Sequence, residues 1–486
     1  MLPQPKEYHL LKETFCPSPL LIIMCCPQLS ASAHRYLSSS LESSYSKLLD
    51  FMDPDSETPY QIVLDFGPHR KKYRGGYYKI VSRPQGTVIS AQDYPGLVHG
   101  VQSLRQIWHK AARQGKKDSA QLPCFDLEDW PSFSWRGLHL DTSRHYFDYK
   151  VIRRYLDWMA AVKLNKFHWH LSDDQGWRLE SKRFPRLHEV GAWRKEEDGS
   201  LYGGFHTRKQ VRLVLDYARD RGIEVVPEID IPGHAMAILA AYPELACFPR
   251  DFEPLNVWGI STDILCAGKD SVIDFLKDLL DEVLELFPGQ YIHLGGDEVP
   301  KERWKECPRC QRRIREEGLR DEEHLQAWFL HQLVAHVQIR GRDVIGWDEI
   351  LDGGIDSRPI AMCWRGDGVD AARMAHDNGN RYIICPNNRL YFDWRYNEDP
   401  DCPGGFGVTT SRDVYGLDLG KFRFSNPGLF LGGQANLWTE RISNSRRLKE
   451  MVYDRMLYMA ELFWSDPPSR DFAECERRVK ELKGLL

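Results

Sequence analysis

Residues Tyr291 to Glu298 read Tyr-Ile-His-Leu-Gly-Gly-Asp-Glu, and this stretch joins a predicted strand to two adjacent carboxylates. Its apolar first half predicts a buried strand, and the Gly-Gly pair permits a sharp turn where that strand ends. Two adjacent carboxylates repel each other, so we expect a raised pKa for at least one, as a general acid near neutral pH requires. An isolated Gly-Gly-Asp-Glu is also typical of a solvated loop or a helix N-terminus, so the choice depends on the rest of the chain.

Composition and charge narrow the classes of protein that this sequence can encode. With 486 residues, the chain is too long for one ordinary domain and has room for a barrel and a smaller module. Its 42% hydrophobic and 28% charged residues exclude a disordered chain. The net charge of -5, without a long basic block, argues against nucleic acid as a partner. No segment approaches the ~18 apolar residues that span a bilayer.

The cysteines and the first residues bear on the compartment. Twelve cysteines at irregular spacing are typical of reduced thiols, and the opening Met-Leu-Pro-Gln-Pro-Lys-Glu lacks the basic-then-apolar layout of a signal peptide. We therefore expect a cytoplasmic protein.

From Phe133 onward, apolar runs alternate with stretches of helical periodicity. Eight β-then-α units predict an α/β fold, a (β/α)8 TIM barrel over residues 131–486. The predicted strands are Gly137–Asp141, Lys166–Leu171, Glu224–Ile229, Tyr291–Leu294, Asp343–Gly346, Ile360–Trp364, Tyr382–Cys385 and Leu429–Gly433. A closing helix is predicted over Arg447–Phe463 and a charged terminal helix over Arg470–Leu486.

Residues 1–130 predict a smaller N-terminal α/β domain that supports the barrel. An amphipathic helix is predicted over Gly96–Ala112, and the Ser-rich piece Ser30–Ser46 predicts a surface helix or loop. The predicted strands are Leu20–Met24, Gln61–Asp65, Tyr77–Val81 and Thr87–Ser90.

The residues that follow the barrel strands are polar and aromatic, and active sites of TIM barrels lie at these carboxyl ends. Arg136 opens the first strand and Asp141 closes it. Later strand ends carry Glu228, His234, Asp297, Glu298, Trp347, Trp364, Tyr391, Asp393, Trp438 and Glu440. Carboxylates, indoles and an arginine that converge on one barrel mouth predict a sugar-processing pocket.

Several separated motifs resemble family 20 glycoside hydrolases, the β-N-acetylhexosaminidases. The resemblance runs from about Trp135 to Trp464 and rests on their order as well as their content. The motifs are Arg-Gly-Leu-His-Leu-Asp, His-Trp-His-Leu-Ser-Asp-Asp-Gln-Gly-Trp-Arg, Pro-Glu-Ile-Asp-Ile-Pro-Gly-His, His-Leu-Gly-Gly-Asp-Glu, Gly-Trp-Asp-Glu, Cys-Trp-Arg-Gly, Tyr-Phe-Asp and Leu-Trp-Thr-Glu. The N-terminal module resembles the small α/β domain that this family often carries.

The resemblance implies substrate-assisted, retaining hydrolysis without a protein nucleophile. Glu298 would protonate the leaving glycosidic oxygen, while the 2-acetamido carbonyl oxygen of the substrate attacks the anomeric carbon and forms an oxazoline-like intermediate. Asp297 would orient the acetamido N–H and stabilise the developing positive charge. Tyr391 would hydrogen-bond the acetamido carbonyl oxygen. One carboxyl must then be neutral and the other charged.

The resemblance also implies the residues that hold the sugar. Trp347, Trp364 and Trp438 would surround the acetamido methyl group. Arg136, Asp393 and Glu440 would bind the hydroxyls of the non-reducing end, so the enzyme would be exo-acting. The residues that would orient the catalytic pair are Asp173, preferred here over Asp174, His170 and His234.

The same resemblance implies the partners and cofactors. The expected partner is an oligosaccharide or glycoconjugate with a terminal N-acetylglucosamine or N-acetylgalactosamine, and a second copy of the chain, as a homodimer, is a further expectation. No cofactor and no catalytic metal are expected.

Other interpretations of the same residues stay open. Arg136 and Glu440 belong to neighbouring barrel strands and could form a structural ion pair. His168-x-His170 on one strand face could chelate a metal, although later strand ends carry Trp and Tyr instead of further ligands. Cys307-Pro-Arg-Cys310 has the spacing of a zinc knuckle without a second pair nearby in sequence.

Those cysteines are spare loop thiols by default, although folding could bring Cys385 or Cys402 near them. The alternative functions are a retaining glycosidase with a protein carboxylate nucleophile, and a non-catalytic carbohydrate-binding barrel.

Overall fold

A closed barrel of eight parallel strands forms the centre of the molecule. The computed structural model describes residues 1–51, 56–67, 75–114, 121–466 and 471–482. The barrel strands pair in chain order, and the eighth strand closes on the first. Strands one to eight are Trp135–Asp141, Lys166–His170, Glu224–Glu228, Tyr291–His293, Asp343–Trp347, Ile360–Cys363, Tyr382–Ile384 and Phe430–Ala435. The predicted fold class and all eight predicted strands are confirmed, with ends shifted by two residues at most.

The register of the barrel brings polar residues together at the carboxyl ends of the first four strands. Asp141 lies beside His170, and His170 lies beside Glu228. Glu228 in turn lies beside His293. Because parallel strands run in the same direction, these four residues form one polar layer at the end where active sites of this fold are built.

Helices surround the barrel and bury their apolar faces against it. The helix Tyr149–Ala161 begins at the N-cap Asp148, whose carboxylate accepts hydrogen bonds from two backbone N–H groups, and it buries Ile152, Leu156 and Met159. The other helices of the barrel domain that exceed eight residues are Arg208–Arg219, Asp270–Leu286, Pro308–Glu316, Glu322–Ile339, Val369–Asn378, Ser445–Ser465 and Phe472–Leu482.

The last two helices match the predicted closing and terminal helices. Of the predicted terminal helix, residue 470 and residues 483–486 lie outside the described residues.

The N-terminal residues form a six-stranded mixed sheet with two helices packed on it. Along the sheet, the strands are Glu7–Phe15, Leu122–Asp129, Tyr78–Arg83, Gly86–Ala91, Tyr60–Phe66 and Leu21–Cys25. The helices are Ala31–Tyr45, within the predicted Ser-rich piece, and Tyr94–Gln114. The four predicted strands are present. Two strands were missed. The edge strand Glu7–Phe15 has mostly exposed side chains and so no hydrophobic alternation, and Leu122–Asp129 contains a proline and three acidic residues.

Asp129 joins the two parts of the molecule. Its carboxylate contacts the Lys163 ammonium group at 3.0 Å and accepts hydrogen bonds from the Trp464 indole at 3.0 Å and the Tyr78 hydroxyl at 2.8 Å. Separating the sheet from the barrel would leave these buried charges unpaired, which is costly. The network therefore fixes the sheet against the barrel. Among the described residues, no helix has the length and the hydropathy needed to cross a membrane.

Candidate active site

A tight glycine turn carries Asp297 and Glu298 from the fourth strand to the barrel mouth. Gly295 and Gly296 have φ of 67° and 96°, and a Cβ atom on Gly295 would lie 1.6 Å from a carboxylate oxygen of Asp230. Only glycine fits this turn. Asp297 is therefore buried, while the Glu298 side chain is 40% exposed at the entrance.

His234 lies between this pair and a buried aspartate. Its Nδ1 is 3.2 Å from Asp173 Oδ1, and its Nε2 is 3.6 Å from both Asp297 Oδ2 and Glu298 Oε2. Burial lowers the pKa of His234, but Asp173 and Asp297 together raise it well above the ordinary value. An imidazolium ion is therefore held against the two carboxyl groups.

Asp173 is anchored from several sides. Its Oδ2 lies 2.8 Å from Arg144 Nη1 and 2.9 Å from His170 Nε2. Burial raises the pKa of Asp173, but Arg144 and His234 outweigh it and hold this pKa below its usual range. Asp174 has another role, because its carboxylate accepts hydrogen bonds from backbone N–H groups after the third strand.

The pKa of Asp297 is raised to about 6. Burial is the largest cause; His234 lowers the pKa, while the neighbouring Glu298 raises it. A raised pKa was expected within the pair, and it occurs at Asp297, the carboxyl that the resemblance expects to be charged. The other oxygen of Asp297, Oδ1, is buried and has no hydrogen-bond partner among the described residues.

Asp297 and Glu298 open onto a cavity of about 220 Å³ whose far wall is aromatic. The rings of Trp364 and Tyr391 are stacked, with centroids 5.9 Å apart and planes at 20°. The ring centroid of Trp438 lies 6.4 Å from that of Tyr391 and 5.7 Å from that of Trp347. Two of these indoles and the phenol therefore line the cavity, and the buried Trp347 packs against one of them, Trp438; we call these four side chains the aromatic box.

Glu228 supports the floor of this box. Its Oε1 accepts a hydrogen bond from the Trp347 indole at 2.9 Å. Three histidines also point at its carboxylate: His170 Nδ1 at 2.5 Å, His293 Nδ1 at 3.0 Å and His168 Nε2 at 3.1 Å. The two histidines of the His168-x-His170 motif thus share one buried carboxylate, which fixes their ring orientation.

A polar wall completes the cavity. Arg144 lies 4.9 Å above the Trp438 ring and faces Glu440 and Asp393. Burial raises the pKa of Glu440, although Arg144 opposes the rise, and burial together with Glu440 raises the pKa of Asp393. Asp393 Oδ1 has no hydrogen-bond partner among the described residues. Buried acceptors of this kind favour a ligand that supplies hydroxyl donors.

Arg136 does not belong to this site, so the prediction that it binds the sugar hydroxyls is wrong. It stands at the amino end of the first strand, where it donates to the carbonyl oxygens of Phe133 at 2.7 Å and Lys163 at 2.9 Å. It lines a separate cavity of about 670 Å³, formed where the first three strands begin. The alternative of an Arg136–Glu440 ion pair fails for the same reason.

Arg144 lines the cavity and was not predicted as a site residue. It follows the carboxyl end of the first strand, eight residues beyond Arg136, and the rule that barrel sites lie at this end could have identified it. Asn387 and Phe406 also line the cavity and were not predicted, and so does Trp394, which flanks Asp393. The other predicted site residues either line the cavity or contact residues that do.

Comparison with known proteins gives matches along almost the whole chain. The model "Glycosyl hydrolase family 20, catalytic domain" matches residues 133–467, and "Glycosyl hydrolase family 20, domain 2" matches residues 1–130. A beta-hexosaminidase of Porphyromonas gingivalis is 44% identical over 416 residues, which are 83% of this chain and 52% of that protein. The chain thus spans about half the length of that relative.

Two solved structures are similar to this chain over 99% of its length. The beta-N-acetylhexosaminidase of Bacteroides fragilis has a TM-score of 0.84 at 30% identity, with 99% of this chain and 94% of that one covered. The exo beta-N-acetylglucosaminidase of Vibrio harveyi, in complex with N-acetylglucosamine, has a TM-score of 0.85 at 27% identity, covering 99% and 76%. The chain belongs to glycosyl hydrolase family 20.

Proposed function

We propose that the protein is an exo-β-N-acetylhexosaminidase that removes terminal β-linked N-acetylglucosamine or N-acetylgalactosamine with retention of configuration. The observation that carries the proposal is the position of Asp297 and Glu298, which both lie 3.6 Å from His234 Nε2 and line the same cavity as the aromatic residues. A box of indoles suits a methyl group, and the adjacent carboxylates suit an amide N–H and a glycosidic oxygen.

In the first step the substrate supplies the nucleophile. The 2-acetamido carbonyl oxygen bonds to the anomeric carbon as the bond to the leaving oxygen breaks, and Glu298 gives its proton to that oxygen. The half-exposed position of Glu298 at the entrance suits contact with the leaving group. The buried carboxylate of Asp297 accepts the acetamido N–H and balances the positive charge of the oxazoline.

In the second step a water molecule opens the oxazoline at the anomeric carbon. Glu298, now a carboxylate, takes the proton of that water, and the 2-acetamido group is restored. Two inversions at the anomeric carbon give net retention. The cycle leaves both carboxyl groups as they began.

We propose the remaining roles from the side chains in and behind the cavity wall. Trp347, Trp364 and Trp438 enclose the acetamido methyl group, and the Tyr391 hydroxyl donates to the carbonyl oxygen. The hydroxyls of the terminal sugar are bound by a second set of side chains, Arg144, Asp393 and Glu440. A cavity of about 220 Å³ with this polar end wall has room for one sugar, which supports exo action.

The test compares release of nitrophenol from the β-N-acetylglucosaminide, the β-N-acetylgalactosaminide and the plain β-glucoside. Cleavage of one or both acetamido sugars, with no cleavage of the glucoside, is expected. Similar rates on all three would indicate a protein carboxylate nucleophile, and cleavage of none would favour a carbohydrate-binding barrel.

We also propose a cytoplasmic location and keep the homodimer as a prediction. The location is supported by the twelve cysteines, none of which is in a disulfide. Cell fractionation tests the first proposal, and light scattering of the purified protein tests the second.

A further inference from the structure

Four cysteines from distant parts of the sequence meet in a buried cluster outside the candidate active site. Cys247, Cys266, Cys307 and Cys310 are at most 4% exposed, and their sulfur atoms all lie within 4.8 Å of one another. The Cys310 sulfur is 3.7 Å from those of Cys247 and Cys266, and the Cys266 sulfur is 3.9 Å from that of Cys307. The fold thus supplies the second cysteine pair that the sequence lacked, from Cys247 and Cys266 and not from Cys385 or Cys402.

These distances fit a metal ion better than they fit disulfides. Four sulfur atoms bonded to one zinc ion at about 2.3 Å lie about 3.8 Å apart at the corners of a tetrahedron. A disulfide requires a sulfur–sulfur distance of about 2.05 Å. We propose that Cys247, Cys266, Cys307 and Cys310 form a structural tetrathiolate zinc site.

The backbone presents the sulfur atoms in two pairs. Residues 246 and 265 form an antiparallel bridge, and the Cys266 N–H donates to the Leu245 carbonyl oxygen, so Cys247 and Cys266 emerge side by side. Cys307 precedes the helix Pro308–Glu316, and Cys310 lies in its first turn. The spacing of Cys307 and Cys310 is typical of zinc sites, and for Cys247 and Cys266 the backbone bridge takes the place of a short spacing.

Positive potential beside the cluster suits four thiolates and a divalent ion, whose total charge is negative. The N-terminus of the nine-residue helix Pro308–Glu316 carries partial positive charge toward Cys307 and Cys310. The Lys269 ammonium group donates to the carbonyl oxygen of Ala246, next to Cys247. The cluster therefore has neighbours that stabilise thiolates.

The site links the two loops that carry the proposed catalytic groups. Cys247 and Cys266 lie in the loop after the third strand, which also carries His234, and the other pair follows Glu298 in the loop after the fourth strand. Within this junction, Leu265 donates its N–H to the Pro232 carbonyl oxygen at 3.1 Å and accepts from the Trp304 indole at 2.9 Å. All four ligands come from the protein, so the ion has a structural role.

The first experiment measures metal in the full-length wild-type protein, purified without a histidine tag or chelator under reducing conditions. We expect inductively coupled plasma mass spectrometry to find one zinc ion per chain. This ion should be released when a mercurial reagent modifies the thiols. A zinc-free protein that takes up no zinc under these conditions contradicts the proposal. So do disulfides among these four cysteines, detected by mass after alkylation of the denatured protein.

The second experiment uses a matched pair of variants. Cys310→Ser should lose zinc and melt at a lower temperature, whereas Cys124→Ser, which changes a cysteine buried in the N-terminal sheet, should keep one zinc ion per chain. Equal zinc content in the two variants contradicts the assignment. If Cys310→Ser does not fold, cobalt-loaded wild-type protein decides, because four thiolates give a sulfur-to-cobalt charge-transfer band and the visible bands of tetrahedral cobalt. Octahedral bands without charge transfer contradict it.

Discussion

The imidazole of His234 is anchored by Asp173, whose Oδ1 lies 3.2 Å from His234 Nδ1 on the side away from the cavity. The other ring nitrogen therefore points at the catalytic pair. Since Asp173 is itself held by Arg144, one chain of charges connects the sugar-binding wall to the proposed acid. Binding of the sugar and placement of the acid depend on the same buried aspartate.

The variant Glu298→Gln tests whether Glu298 is the general acid that protonates the leaving group. General acid catalysis contributes about 100-fold to 10,000-fold, so we expect a loss of that size in kcat/KM for a disaccharide. A nitrophenyl glycoside needs little protonation of its leaving group and should be much less affected. Steady-state kinetics on both substrates checks this. Asp297→Asn is the control and should impair both; an equal loss on both substrates in Glu298→Gln would rule out Glu298 as the acid.

The pH dependence of kcat/KM should follow the ionisation of the Asp297 carboxyl group. Its carboxylate must be charged to stabilise the oxazoline, and its pKa is about 6, so kcat/KM should fall as the pH drops below about 6. Above that pH the group is ionised and this limb is flat. The profile should be measured with a nitrophenyl glycoside, since protonation of the leaving group then matters little.

Asp173→Asn tests the cause of this pKa. Without the Asp173 charge, His234 loses its largest source of stabilisation as an imidazolium ion and becomes less able to lower the pKa of Asp297. The acid limb should therefore move to higher pH, by about one unit. Asp216→Asn, on an exposed helix surface, should leave the limb in place. A limb that stays fixed in Asp173→Asn would contradict the electrostatic link.

Much of the fold could be predicted from the sequence, for a physical reason. The barrel strands are short apolar runs because both of their faces are buried, and each ends in turn residues. The strand Glu7–Phe15 has no such signal, since it lies at a sheet edge with exposed side chains. The buried strand Leu122–Asp129 was also missed, because a proline and three acidic residues interrupt its apolar run.

Site residues could be predicted from the motifs where the motif lies at the carboxyl end of its strand. Trp347 ends its strand, and Asp297 and Trp438 lie four and three residues beyond theirs, so all three lie at the carboxyl end. Arg136 was chosen from the same motif region as Arg144, but it begins its strand and therefore lies at the opposite end. The cysteine cluster was not predictable, because only the fold brings Cys247 and Cys266 to Cys307.

Two arginine variants test whether Arg144, and not Arg136, belongs to the active site. Arg144→Lys keeps a charge but loses the fork that reaches the sugar wall and Asp173, so kcat/KM should fall about 10-fold to 100-fold. Arg136→Lys loses hydrogen bonds to two backbone carbonyls and should lower the melting temperature with kcat/KM nearly unchanged. The reverse pattern would return Arg136 to the site.

Phe406 should contribute to binding of the leaving group. Its side chain lines the cavity although the residue is 82% exposed, and it lies with Trp394 at the outer edge. Phe406→Ala should raise KM for a disaccharide, by about 10-fold for the loss of one stacking contact, without changing inhibition by free N-acetylglucosamine. Ile339→Ala, at an equally exposed helix end, is the control. Weaker inhibition by the free sugar would place Phe406 at the terminal sugar instead.

The central claim is that the substrate's own acetamido oxygen is the nucleophile. The most direct measurement compares hydrolysis of nitrophenyl β-glycosides whose 2-acetamido group carries zero, one, two or three fluorine atoms. Each fluorine withdraws electrons from the carbonyl oxygen and weakens it as a nucleophile, so kcat/KM should fall steeply along the series. Rates that stay level across the series would mean that a protein group attacks the anomeric carbon, and would contradict the account.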